Sequence, residues 1–100
     1  MPPVTFSATA KFGKMPGYKL LYANSVKKDL KNIDIAHLKK IKKEIEKLVD
    51  FPDIKNIKKL THHPVADYRL RIGDYRVLFD IDSQENTINI LKIGHRKDIY

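Results

Sequence analysis

The sequence predicts one small α+β domain in which a strand and a two-helix hairpin precede three further strands, in the order β-α-α-β-β-β, with the helices packed on a mainly antiparallel sheet. Three observations carry this expectation. Apolar residues recur at three- and four-residue spacing between Val26 and Leu48, from Tyr68 onward the period is two, and Gly73-Asp74 separates two alternating runs as a two-residue hairpin loop. One hundred residues with 42% hydrophobic content suffice for a single core.

The elements follow in order. Residues 1–17, MPPVTFSATAKFGKMPG, contain Pro, Gly, Ser and Thr but no acidic residue and no period, and read as a flexible leader ahead of a domain spanning 18–100; Met15 offers an internal start. Y-K-L-L-Y-A, residues 18–23, is apolar and aromatic enough for a strand, and Asn24 or Ser25 can cap the helix that follows. That helix carries Val26, Leu30 and Ile33 on one face. After a break at Asn32-Ile33-Asp34, a second helix buries Leu38, Ile41, Ile45 and Leu48, with Asp34 as its cap and Pro52 as its stop. The lysines and glutamates on its outer side form a solvated face. Residues 52–66, including His62-His63, lack periodicity and read as a loop; adjacent histidines point apart and no nearby carboxylate completes a ligand set, so no metal site is expected. His37 reads as a surface residue. The remaining strands are Tyr68–Ile72, Tyr75–Ile81 and Thr87–Ile93, with a five-residue loop at 82–86 and a short tail, H-R-K-D-I-Y, after Gly94.

Composition narrows the function. The chain has no cysteine, so it has neither disulfides nor a thiolate metal site and gives no reason for an oxidising compartment. No apolar run approaches the roughly 20 residues of a membrane span, and the N-terminus lacks a signal-peptide core, which makes the cytoplasm the expected location. A formal charge of +8 and a pI near 9.7 favour a polyanionic partner, either nucleic acid or an acidic protein.

The arginines sharpen this. There are four, Arg69, Arg71, Arg76 and Arg96, and every positive side chain before Asp67 is lysine. With Gly73-Asp74 as the loop, Ile72 faces Tyr75, Arg71 faces Arg76, Leu70 faces Val77 and Arg69 faces Leu78. Tyr68, Leu70, Ile72, Tyr75, Val77 and Phe79 then form the core face, and the three hairpin arginines share the other. The five-residue loop places Lys92 beside Arg76. Like charges opposed across two strands cost up to about 1 kcal/mol. Either a carboxylate such as Asp80 relieves them, or the face is a phosphate site, since guanidinium forks bind phosphate oxygens bidentately and stay charged. His95, Arg96 and Tyr100 can join from the tail.

Y-R-L-R-I-G-D-Y-R-V-L-F-D-I followed by I-L-K-I-G-H-R-K-D-I-Y, with Y-K-L-L-Y-A-N-S-V-K-K-D-L before them, resembles the RelE/ParE superfamily, and within it the RelE-type toxins, over residues 18–100. The resemblance implies the toxin of a type II toxin–antitoxin module: an mRNA interferase that enters the ribosomal A site and cuts messenger RNA there, restrained by an antitoxin of RelB type. It implies a catalytic set of Arg69, Arg71, Arg76, Arg96 and Tyr100, with no cofactor. Family members that carry lysine where this chain has Arg69 and Arg71 have a group that can lose a proton there; arginine cannot. Attack of the ribose 2′-OH on the adjacent phosphate can be stabilised by the four arginines without a metal, leaving proton transfer to His95 and Tyr100. The alternatives are a ParE-type poison of DNA gyrase and a catalytically weak module that binds RNA or an antitoxin through the same patch.

Overall fold

The computed structural model describes residues 17–51 and 54–99. The expected leader, apart from Gly17, and Tyr100 lie outside them. The elements are β1 (Lys19–Tyr22), α1 (Asn24–Lys31), α2 (Ile35–Glu46) continuing into a 3-10 turn (Lys47–Asp50), β2 (Ile57–Lys59), β3 (Tyr68–Ile72), β4 (Tyr75–Asp82) and β5 (Thr87–His95). They form a five-stranded sheet in the order β1-β5-β4-β3-β2, antiparallel except where β1 runs parallel to β5. Both helices lie on one side. The α+β class and the expected element order hold, with one strand added.

That strand, β2, corrects the reading of 52–66 as a loop. Its three residues pair with β3, Ile57 with Leu70, Lys58 with Arg69 and Lys59 with Tyr68. Three residues are too few to establish a period. The left-handed conformations at Asn56 (φ 70°) and His62 (φ 58°) turn the chain on either side of it. His63 does local work, its Nδ1 accepting the Val65 N–H at 3.1 Å.

The first helix starts differently from expectation. Ala23 occupies its N-cap with no side-chain hydrogen bond, and Ser25 is used elsewhere. Beyond the last β1–β5 pair, Tyr22 with Ile90, the outer edge of β5 is served by α1: the Ala23 N–H donates to Ile90 O at 2.9 Å, Ser25 Oγ donates to Leu91 O at 3.2 Å, and Asp29 Oδ2 accepts the Ile93 N–H at 3.0 Å. Ser25 and Asp29 are one helical turn apart, so one face of α1 replaces a missing strand. In α2 the expected cap holds. Asp34 Oδ1 accepts the His37 N–H at 2.9 Å, which together with the His37 imidazole lowers the carboxyl pKa from its ordinary value.

The core lies between helices and sheet. Val26 and Ile33 from α1 and its exit, and Ile41, Ile45 and Leu48 from α2 and its 3-10 extension, bury against Leu70, Ile72, Val77, Phe79, Ile88, Ile90 and Ile93. Each such side chain contributes on the order of 1.5–3 kcal/mol of transfer free energy. The opposite face of the sheet carries a second, smaller cluster. Leu78 is covered by Ala66 and Ile99, with Leu60 and Leu91 at its margin.

The β3–β4 register agrees with the sequence reading at every pair from Arg69–Leu78 to Ile72–Tyr75, and Tyr68 pairs with Phe79 beyond them. The β4–β5 register does not. Asp82 pairs with Thr87, leaving four residues in the loop, where Asp82 Oδ1 accepts the N–H groups of Gln84 and Glu85 at 3.1 Å. A shift between Leu78 and Phe79 then makes Leu91 an extra residue, because Phe79 pairs with Ile90 and Leu78 with Lys92. Lys92 therefore stands opposite Leu78, and Arg76 stands opposite Gly94.

Candidate phosphate-binding face

Alternation along β3 and β4 puts Arg69, Arg71 and Arg76 on the face away from the helices, with Arg71 directly paired to Arg76. The neighbouring strands add Lys58, paired with Arg69, and Lys92, paired with Leu78. Lys58 was missed in the sequence because β2 was missed. Once Ile57 is set facing inward opposite Leu70, Lys58 must face the arginines.

Arg76 is the buried member, 8% exposed. Its Nη1 donates to the backbone carbonyls of Gly73 at 2.8 Å and Tyr75 at 2.9 Å, folding the guanidinium back over the hairpin turn. Its Nε is buried and has no partner, as is the Nε of the half-buried Arg69. Among the described residues no carboxylate pairs with Arg69, Arg71 or Arg76. Asp80, the expected neutraliser, is occupied: its Oδ1 accepts the Asp67 N–H at 2.6 Å and ties down the segment that covers Leu78. Guanidinium groups set side by side with no carboxylate partner among the described residues repel one another, a cost that a bound anion relieves.

Gly94 makes room for this arrangement. A Cβ at that position would lie 3.0 Å from Cδ1 of Ile99 and 3.1 Å from its Cγ1, so Ile99 seats directly over Gly94, next to Arg76. One residue past the end of β5, Arg96 returns to the hairpin tip. Its N–H donates to Asp74 O at 2.7 Å, while its side chain stays 58% exposed with Nε 3.8 Å from Asp74 Oδ1. Three of the expected site residues thus lie on the face of the sheet away from the helices and Arg96 lies at the hairpin tip. His95 is not with them. It pairs with Tyr75, and its ring meets the Tyr75 ring on the helix side, 5.6 Å between centroids.

A two-helix layer on one side of a small, mostly antiparallel sheet, with the hairpin arginines on the other, defines a class of small basic α+β proteins. Comparison with known proteins places the chain within it. The family model for the ParE toxin of type II toxin–antitoxin systems, parDE, matches residues 20–100. Toxin RelE3 of Methanocaldococcus jannaschii is 36% identical over 89 residues, covering 82% of this chain and 94% of that protein. Among solved structures, the archaeal RelE–RelB complex from Pyrococcus horikoshii is similar with a TM-score of 0.68 and 28% identity, over 82% of this chain and 98% of that one. The toxin–antitoxin complex RelBE2 from Mycobacterium tuberculosis gives a TM-score of 0.70 and 25% identity, over 80% and 99%. The chain belongs to the RelE/ParE superfamily, as a RelE-like toxin of a type II toxin–antitoxin system.

Proposed function

We propose that this toxin is a metal-independent endoribonuclease that cuts messenger RNA in the ribosomal A site by attack of a ribose 2′-OH on the adjacent phosphate. The observation that supports it most is the Arg71–Arg76 pair, opposed across two strands and lacking a carboxylate partner among the described residues. A scissile phosphate supplies what that pair lacks. As charge grows on the phosphate oxygens, Arg69, Arg71 and Arg76 hold it from the sheet and Arg96 from the hairpin tip. None of these can serve as base, since arginine keeps its proton. The new O2′–P bond forms as the P–O5′ bond breaks, leaving a 2′,3′-cyclic phosphate and a 5′-OH. His95 faces the helices, so we assign to Tyr100, the residue after Ile99 in the chain, the transfer of the 2′-OH proton to the departing 5′ oxygen. The natural location of such an activity is the cytoplasm. A RelB-type antitoxin is its natural restraint, since the similar structures from Pyrococcus horikoshii and Mycobacterium tuberculosis are toxin–antitoxin complexes.

A second reading, a ParE-type poison of DNA gyrase, is favoured by the description of the matching family model. Brief expression followed by mapping of messenger RNA ends separates the two. Cuts at codon boundaries in translated messages, reduced about 10²–10³-fold by Arg76→Ala or Arg96→Ala, are the expected result. Intact messages accompanied by gyrase-linked DNA breaks would overturn the nuclease reading.

A further inference from the structure

On the helix side of the sheet, away from the arginine face, a cleft of about 360 Å³ opens between the first turns of α2 and the β3–β4 turn. Three rings line it. Tyr75 stands in the middle, with the His37 ring 5.2 Å away at 47° and the His95 ring 5.6 Å away at 74°. Lys40 and Asp74 complete the polar part, with Ile41 and Ile72 beneath.

The hydrogen bonds fix what each histidine offers. His95 Nδ1 accepts the Lys97 N–H at 3.2 Å, so the neutral ring carries its proton on Nε2 and presents a donor. His37 Nδ1 lies 2.8 and 3.0 Å from the two Asp34 carboxylate oxygens and donates to them, leaving Nε2 as the second polar atom of the ring. The charges of Lys40 and Asp74 oppose each other, and Arg96 approaches Asp74 to 3.8 Å. Such a site suits a bare phosphate poorly. It suits a flat, neutral heteroaromatic ring with both a donor and an acceptor on its edge, stacked on aromatic side chains.

We infer that this cleft binds a nucleobase of single-stranded RNA whose backbone is held by the arginines. The inference rests on the nuclease reading for the identity of the polymer. Continuity supports it: Arg96 follows His95 directly in the chain, and its backbone is bonded to Asp74 in the cleft wall. A strand gripped at the hairpin tip thus has a base-sized cleft around the corner from its phosphate.

The test follows the ring resonances of His37, Tyr75 and His95 by NMR in the full chain, titrated separately with three probes: an RNA octamer with 2′-O-methyl riboses, which cannot undergo 2′-OH attack, AMP, and ribose 5-phosphate. The octamer and AMP should move all three rings, ribose 5-phosphate should not, and the octamer should bind more tightly than AMP. Combined His37→Ala and His95→Ala substitution should weaken octamer binding about five-fold or more. Arg69→Ala should weaken octamer binding yet leave the AMP-induced ring shifts in place. Octamer binding that perturbs only the arginine face would overturn the cleft and leave the phosphate site standing. Ring shifts with AMP but not with the octamer would reassign the cleft to free nucleotides and overturn the RNA assignment. Equal shifts with ribose 5-phosphate and AMP, or none with any probe, would overturn base recognition altogether.

Discussion

Replacing Arg71 by threonine leaves Arg76 opposite a neutral side chain that favours strands, so stability and activity should move in opposite directions. Removal of the like-charge opposition should raise the urea unfolding free energy by a few tenths to about 1 kcal/mol, whereas messenger RNA cleavage should fall. Equal or lower stability in the variant would mean that something on this face already compensates the pair. Asp34 supports a second prediction. The His37 N–H, then the imidazole, holds its carboxyl below the ordinary range. A depressed folded pKa contributes stability above the unfolded value, and that contribution disappears as pH falls through the folded one. The melting temperature of the wild type should therefore exceed that of Asp34→Ala at neutral pH, and the two should converge below about pH 4. Parallel curves down to acid would remove the carboxylate from the stability of α2.

Among the elements, α1 has the least usual assignment, since its side chains finish the hydrogen bonding of β5. Asp29→Ala leaves the Ile93 N–H without its acceptor and should cost on the order of 1 kcal/mol, with faster amide exchange at Ile93; Asp29→Asn keeps an acceptor and should lose less. Unchanged exchange in the alanine variant would show that α1 is not the edge's partner. None of this was legible in the sequence, where Ser25 resembles a helix cap and no pattern singles out Asp29. The hairpin was legible, because Gly73-Asp74 fixes the β3–β4 register and alternation then sorts its three arginines. Its neighbours were not. A three-residue β2 is too short to announce a period, so Lys58 stayed hidden, and the extra Leu91 moved Lys92 away from Arg76 with no residue type to mark the shift. His95 was misplaced for a related reason. The tail was read as one block, yet alternation along β5 sends Gly94 to the arginines and His95 to the helices.

At the scale of the whole molecule, a formal charge of +8 governs encounter. Association with an acidic antitoxin should slow steeply as salt rises while dissociation changes little, which stopped-flow measurements can resolve. A salt-insensitive association rate would remove long-range steering from that step. The borders of the sheet bear on a different property, the tolerance of free toxin to high concentration. Among the described residues, β1 contributes four residues of strand edge to one flank, and α1 occupies the rest of that border. On the other flank the exposed Lys58 and Lys59 point to opposite faces of β2, so an incoming strand meets a charge from either side. Two copies have little to gain from joining sheets, and so the same lysine that faces the arginines also guards the toxin against growing into fibres.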